Sequence, residues 1–299
     1  MSRSLIVLVT RQKYINPLNI DWYLGQILEE DRLVTEALEK KGFDVMRVSW
    51  DDELYDWSSP KAVIFRAVWD YFERIQEFKN WLKRIENQTT ILNQPSLIWW
   101  NIDKSYLHDL EAKGVNIPPT LFIKKGTTVN LEQLIRDQGW QEAVMKPNIA
   151  GTARETYRVD SSNATQHNAK LNELLQNEDM LVQAFQDSIL SKGEISLMVF
   201  GGTYTHAIRK RAKAGDFRVQ DDFGGTVEVY EPKPDEIEFA ISVMRSIDPI
   251  PLYGRVDIMW DNDDKLSVSE VEIFEPELWF RNHHPAAEVF ARKITEYLN

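Results

Sequence analysis

The sequence predicts an open α/β layer followed by α+β structure, a three-lobed chain whose N-terminal domain carries an open parallel sheet. Three observations predict it. Apolar runs and helical stretches in the N-terminal part follow the order strand, helix, strand, strand, helix, strand, as in a parallel sheet covered by helices. From Trp99 that alternation is lost and shorter mixed elements take over. Near the C terminus two period-two runs flank a polar turn, the mark of a hairpin with two unlike faces. The lobes divide at residues 1–96, 97–187 and 188–299.

The elements follow in order. Residues 5–9 are an apolar first strand, and a long polar loop containing Pro17 leads to a helix at 29–41, with Leu33, Val34, Ala37 and Leu38 inward and Gly42 ending it. Strands at 45–48 and 62–65 precede a helix at 74–86, where Ile75, Phe78, Leu82 and Ile85 recur at helical spacing, and a short strand at 90–92. In the second lobe Asp103 caps a helix through Ala112, and Asn130 with Gln133 has capping-box spacing. Strands at 120–123, 143–146, 155–159 and 180–183 and a helix at 165–175 complete it. In the third lobe Gly201-Gly202 joins strands 194–200 and 203–210, a strand at 226–230 follows, Pro234 opens a helix, and the last helix spans 285–297.

The segment YGRVDIMWDNDDKLSVSEVEIFEP, residues 253–276, is the most informative about function. Tyr253, Arg255, Asp257 and Met259 alternate with Gly254, Val256, Ile258 and Trp260; in the second run Leu266, Val268, Glu270 and Glu272 share one face. A two-residue loop at Asp263-Asp264 pairs Asp257 with Glu270 and Arg255 with Glu272. Three carboxylates then converge beside an arginine. Two readings stay open on the residues alone: a site for Mg²⁺ or Mn²⁺, which oxygen ligands suit better than zinc, or a solvated face whose charges pair across strands.

Composition limits the function. The 299 residues, of 34.9 kDa, carry a net charge of -12 with no Lys/Arg-rich tract, so general nucleic-acid binding is not expected. The confined group Arg209, Lys210, Arg211, Lys213 and Arg218 suits a small anion such as a nucleotide phosphate, or else a charged edge strand. No apolar run approaches the roughly 18 to 20 residues of a membrane span, and MSRSLIVLVTRQ reads as a first strand instead of a secretion signal. The chain has no Cys, which fits a cytoplasmic setting. Neither a Gly-x-Gly-x-x-Gly nor a Walker-type phosphate loop is present, and the five His residues, His206, His283 and His284 among them, lack zinc spacing.

The ordered set FRAVWDY, LNQPSLIWWNIDKSYLHDLEAKGVNIPPT, AVMKP, LVQAF, GEISLMVFGG, GDFRVQDDFGG, YGRVDIM and EVEIFEP is similar to the ATP-grasp superfamily, in its glutathione synthetase-like branch and the subfamily of the cycloserine-biosynthesis ATP-grasp protein. The resemblance spans nearly the whole chain and implies a three-lobed ATP-grasp fold. It implies that Lys104 and Lys146 reach ATP phosphates, that loop 148–154 covers them, that Gln183 and Phe185 hold adenine, and that Glu194 meets ribose. Arg218 would contact transferred phosphate, Gly224 and Gly225 would offer backbone N–H groups to anions, and Lys210 and Arg255 would neutralise phosphate or substrate carboxylate. Asp257, Glu270 and Glu272 match divalent-metal positions; glutathione synthetase has Asn where Glu272 stands, and Glu275 occupies an acid position of the cycloserine-related subfamily.

The implied reaction is ATP-dependent ligation of a carboxylate to an amine through an acyl phosphate, with amino acids or short peptides as substrates and a homodimer as a possible assembly. An intramolecular cyclase, a small-molecule kinase and a non-catalytic Mg-ATP-binding protein remain as alternatives. Substrate choice is expected from Arg66, Trp69, Asp70 and Tyr71 at a strand end, with Asp21, Trp99 and Trp100 as further candidates.

Overall fold

The computed structural model describes residues 3–219 and 224–299. Strands β1 (Ser4–Thr10), β2 (Phe43–Ser49), β3 (Ala62–Phe65) and β4 (Thr90–Leu92) form a sheet of order β2-β1-β3-β4, and every pair in it is parallel. Helix α1 (Trp22–Lys40) lies against one face and α2 (Ile75–Ile85) against the other, so the strands are buried on both sides. Helix α1 begins seven residues before the expected start at 29, because the Leu24 N–H donates to Asp21 Oδ1 at 2.8 Å. Asp21 is therefore a helix cap, not a ligand-facing loop residue.

The middle of the chain supplies α3 (Pro95–Asn101), α4 (Tyr106–Ala112), β5 (Thr120–Ile123), α5 (Leu131–Asp137), β6 (Glu142–Pro147), β7 (Tyr157–Asp160), α6 (Ala164–Leu174) and β8 (Met180–Ala184). Its strands make an antiparallel sheet of order β5-β8-β6-β7, with α5 and α6 closing a small core around Met145, Val159, Leu171 and Val182. The capping expected of Asn130 is present, since the Gln133 N–H donates to its Oδ1 at 3.0 Å. Helices α3 and α4 are grouped with this lobe by chain order, but Leu97, Tyr106, Leu107 and Leu110 pack on the C-terminal sheet instead.

That sheet is antiparallel, of order β11-β10-β9-β12-β13, from β9 (Glu194–Phe200), β10 (Thr203–Arg211), β11 (Thr226–Tyr230), β12 (Tyr253–Trp260) and β13 (Leu266–Glu272). The short α7 (Ser188–Ser191) precedes it, α8 (Pro234–Ser246) covers one face, and α9 (Pro285–Leu298) lies between its other face and α1. One continuous apolar core thus joins the first and third lobes, through Leu38, Phe200, Tyr253 and Phe290. No helix among the described residues is long and apolar enough to cross a membrane.

The hairpin register is the predicted one at the acids and a different one at the turn. Arg255 faces Glu272 and Asp257 faces Glu270, whereas Ile258 faces Val268 and Trp260 faces Leu266. The loop therefore spans 261–265, and the register shift at Ser269 restores the expected pairing. This bulge also turns Val268 into the core beside Val271, Ile273 and Ile258, correcting its assignment to the face of Glu270 and Glu272.

Candidate active site

A cavity of about 250 Å³ lies where the three sheets meet. The central lobe contributes Lys146, Gln183 and loop residues 150–153, the C-terminal sheet contributes Glu194, Lys210, Arg255, Asp257, Glu270 and Glu272, and the N-terminal domain contributes Tyr23, Trp69, Tyr71 and Phe72. Lys104, Phe185 and Arg218 also line it. Gly224 and Gly225 are not among the described residues on its wall; Gly224 is exposed, with φ +83°.

The carboxylates come together as expected. Asp257, Glu270 and Glu272 each offer an oxygen within 4.8 Å of the others. Alternate residues of β12 put Arg255 and Asp257 on one face, where Arg255 Nε donates to Asp257 Oδ1 at 2.8 Å and Nη2 to Glu272 Oε1 at 2.5 Å. Lys210 on β10 donates to Asp257 Oδ2 at 3.0 Å and pairs with Glu194, while Lys104 reaches Glu270 Oε1 at 3.0 Å. Oxygen donors only, packed this closely, fit a hard divalent cation.

These contacts set the protonation states. Burial disfavours the Asp257 carboxylate, but Arg255 and Lys210 overcome it and hold its pKa well below the ordinary value. Burial likewise opposes the Glu270 carboxylate and Lys104 and Lys146 lower its pKa, whereas burial raises that of Glu272 to about 7 against the pull of Arg255. Glu275 is pushed well up by burial and then by Glu272. Burial lowers the Lys146 pKa despite Glu270, and this ammonium makes no ion pair among the described residues.

The second strand of the hairpin is an edge strand whose outer side is not left bare. The Val271 N–H donates to Tyr106 Oη at 2.9 Å, Asn101 Nδ2 donates to the Val271 carbonyl at 2.8 Å, and the Ile273 N–H donates to Asn101 Oδ1 at 2.9 Å. Side chains of α3 and α4 thus stand in for a missing strand and fix the direction of Glu270 and Glu272. Asn93 ties the neighbouring backbone, donating to the carbonyls of Tyr253 at 2.8 Å and Ile273 at 2.7 Å.

Loop 148–154 closes one side. Lys104 Nζ donates to the Ala150 carbonyl at 2.7 Å, joining this loop to Glu270, and a Cβ on Gly151 would lie 2.7 Å from the Phe72 ring. Opposite, Phe185, Ile189, Val219 and Met259 form an apolar slot with Val144 and Phe217, and the Arg158 guanidinium sits 4.0 Å above the Phe185 ring. Gln183 Nε2 donates to Thr120 Oγ1 at 2.7 Å. Glu194 has both oxygens engaged, one by Lys210 and the other by Ser269 Oγ at 2.7 Å. Arg218 Nη2 donates to Asp216 Oδ2 at 2.7 Å.

The N-terminal candidates separate. Trp69 and Tyr71 line the cavity; Arg66 and Asp70 do not. Arg66 is buried against Asp31 at 3.1 Å, and Asp70 accepts from Trp50 Nε1 at 3.0 Å. Trp99 and Trp100 donate to Glu86 and Asp109, both at 2.9 Å, away from the wall. Tyr23 and Phe72, not singled out from sequence, do reach it.

An open parallel sheet and two antiparallel lobes around one charged cavity define an ATP-grasp protein. Residues 103–278 match the RimK-like ATP-grasp domain and residues 6–93 match the family model described as D-cycloserine synthetase DcsG, N-terminal domain. The chain belongs to the RimK-like ATP-grasp family. It is 30% identical to the cycloserine biosynthesis protein DcsG of Streptomyces lavendulae over 94% of this chain and 95% of that protein. It is also 26% identical to a probable alpha-L-glutamate ligase of Parasynechococcus marenigrum, over 53% of this chain and 33% of that one. The crystal structure of D-cycloserine synthetase DcsG superposes with a TM-score of 0.85 at 28% identity, covering 99% of this chain and 100% of that one. The D-alanyl-alanine synthetase A of Vibrio cholerae, at 15% identity and a TM-score of 0.69 over 100% and 99% of the chains, shares the fold.

Proposed function

We propose that this enzyme is an ATP-dependent carboxylate–amine ligase acting on an amino acid or small peptide through an acyl phosphate. The observation that carries the reading is the Asp257, Glu270 and Glu272 cluster, interleaved with Lys104, Lys210 and Arg255 on the wall of the cavity. Membership of the RimK-like ATP-grasp family supports it.

In this reading the apolar slot around Phe185 and Met259 takes the adenine, with Gln183 at its edge and Glu194 beside the ribose. Lys104, Lys146 and Arg218 face the phosphates, Gly224 and Gly225 offer them backbone N–H groups, and loop 150–153 excludes water. Asp257, Glu270 and Glu272 would hold Mg²⁺, or Mn²⁺ as a substitute, and the ion would supply positive charge that offsets phosphate charge. A substrate carboxylate oxygen attacks the γ-phosphorus and the bond to the ADP oxygen breaks. The amine nitrogen then attacks the acyl carbon, phosphate leaves with the acyl oxygen, and the nitrogen loses one proton. Lys210, Arg218 and Arg255 hold positive charge where negative charge accumulates.

Cyclisation within one molecule is the second reading, favoured by the DcsG-type N-terminal domain and by the likeness to DcsG along almost the full chain. Mass spectrometry separates the two: a ligase joins two added compounds, while a cyclase converts one. ADP release screened against amino acids and amino-acid pairs tests both, and absence of any substrate-stimulated release contradicts them. A cytoplasmic enzyme, in keeping with the cysteine-free chain, and a homodimer complete the proposal; sedimentation checks the latter.

A further inference from the structure

Six carboxyl side chains line the cavity: Glu194, Asp257, Glu270, Glu272, Glu275 and Glu277. Five of them have a cation. Glu194 and Asp257 share Lys210, Asp257 and Glu272 share Arg255, Glu270 has Lys104, and Glu277 has Arg281 at 2.6 Å. Glu275 has no ion-pair partner among the described residues.

Its contacts are neutral. The indole N–H of Trp69 donates to Glu275 Oε2 at 2.9 Å and to the Glu275 carbonyl at 3.1 Å, and Tyr71 lines the cavity beside it. Tyr23 leans on Trp69, with ring centroids 6.4 Å apart, and Trp279 adds a further ring to this end of the cavity. The indole orients the carboxyl without neutralising it. A carboxyl fixed among aromatic rings, open to a cavity and lacking its own cation, matches an organic ammonium. A hard metal ion would need several further oxygen ligands, and Trp69 is a donor here. Burial and Glu272 drive Glu275 toward its neutral form, an effect that a bound ammonium offsets. Glu275 lies three residues beyond Glu272, and both line the same cavity.

We propose that Glu275, held by Trp69, receives the protonated amino group of the substrate, so that the carboxylate activated by this enzyme belongs to an amino acid and not to an acid that lacks an ammonium group. The assignment rests on the ligase reading for the position of the reacting carboxylate. Calorimetry tests it on protein saturated with Mg²⁺ and a nonhydrolysable ATP analogue, using D- and L-alanine and serine against the matching lactates and glycerates. Wild type is expected to hold its preferred amino acid about 10- to 100-fold more tightly than the hydroxy acid, and Glu275→Gln to bring that ratio close to one. Trp69→Phe, which keeps a ring but removes the N–H, should lower the ratio by about threefold.

A wild-type protein that favours no amino acid over its hydroxy acid overturns the proposal. So does a Glu275→Gln protein that weakens both probes equally, since a merely structural role leaves the ratio unchanged. Discrimination in binding without ADP release contradicts the ligase reading and leaves the ammonium site standing; ADP release without discrimination does the reverse.

Discussion

Two dense clusters of buried charge lie on either side of the segment from Glu275 to Arg281, and they have different fates. At the junction of the first and third lobes, Arg66 pairs with Asp31 at 3.1 Å, Arg47 with Asp31 at 2.7 Å, Arg281 with Glu30 at 3.2 Å, and Arg281 with Glu277 at 2.6 Å. Each acid there meets an arginine, and no sizeable space is left between them. In the cavity, Asp257, Glu270, Glu272 and Glu194 share Lys104, Lys210 and Arg255, with Glu275 in addition. Ion pairing is therefore no mark of a site. What distinguishes the cavity is carboxylates that share their cations next to open volume, a lining that fits a further cation.

The largest effect that sharpens this contrast is expected from Glu270→Gln. In the proposed reading this removes one cation ligand and should lower kcat by about 10²- to 10³-fold, with the urea midpoint little moved, as measured by ADP release and denaturation. Arg66→Ala should do the opposite: removing the cation leaves Asp31 and Glu30 under-compensated, costing about 3 to 5 kcal/mol in urea unfolding while the folded fraction keeps its nucleotide affinity. Equal losses of turnover from the two variants would erase the distinction.

His206 probes the segment between the clusters. It is buried, donates from Nε2 to the Leu278 carbonyl at 2.9 Å, and burial lowers its pKa to about 4. The unfolded chain, with an ordinary histidine pKa near 6.5, binds more protons between these values, so stability falls as pH drops from about 6.5 to 4 and is fully retained above. The contribution is about 3 kcal/mol, and His206→Gln should flatten that part of the stability profile. A profile of unchanged slope in the variant would assign the loss to other groups. The smallest effect is expected from Lys146→Ala, a weakening of ATP binding by about tenfold in calorimetry, because Lys104, Lys210, Arg218 and Arg255 line the same cavity. An unaltered affinity would remove Lys146 from the phosphate side of the cavity.

Much of this contrast was legible in the sequence where local periodicity carries it. Alternation placed Arg255, Asp257, Glu270 and Glu272 on facing strands, although the loop is longer than two residues and the bulge at Ser269 supplies the compensating shift. Periodicity counts residues in a strand and does not register an extra one. It also missed the start of α1, since Trp22, Tyr23, Leu24 and Gly25 show no helical stripe until Asp21 is recognised as the cap. Asn93, Asn101 and Tyr106 were not singled out, because they pair with backbone about 160 to 180 positions away and leave no local pattern. The FRAVWDY segment drew attention as a whole, yet only packing divides it, turning Trp69 and Tyr71 to the cavity and Arg66 to the junction.

The central claim is that Asp257, Glu270 and Glu272 hold the divalent cation through which ATP is bound. Calorimetric titration of ATP with and without Mg²⁺, on wild type and on the double variant Glu270→Gln/Glu272→Gln, tests it most directly. Wild type should bind at least about tenfold more tightly when Mg²⁺ is present, and the double variant should lose that dependence. An equal Mg²⁺ dependence in both proteins would contradict the account.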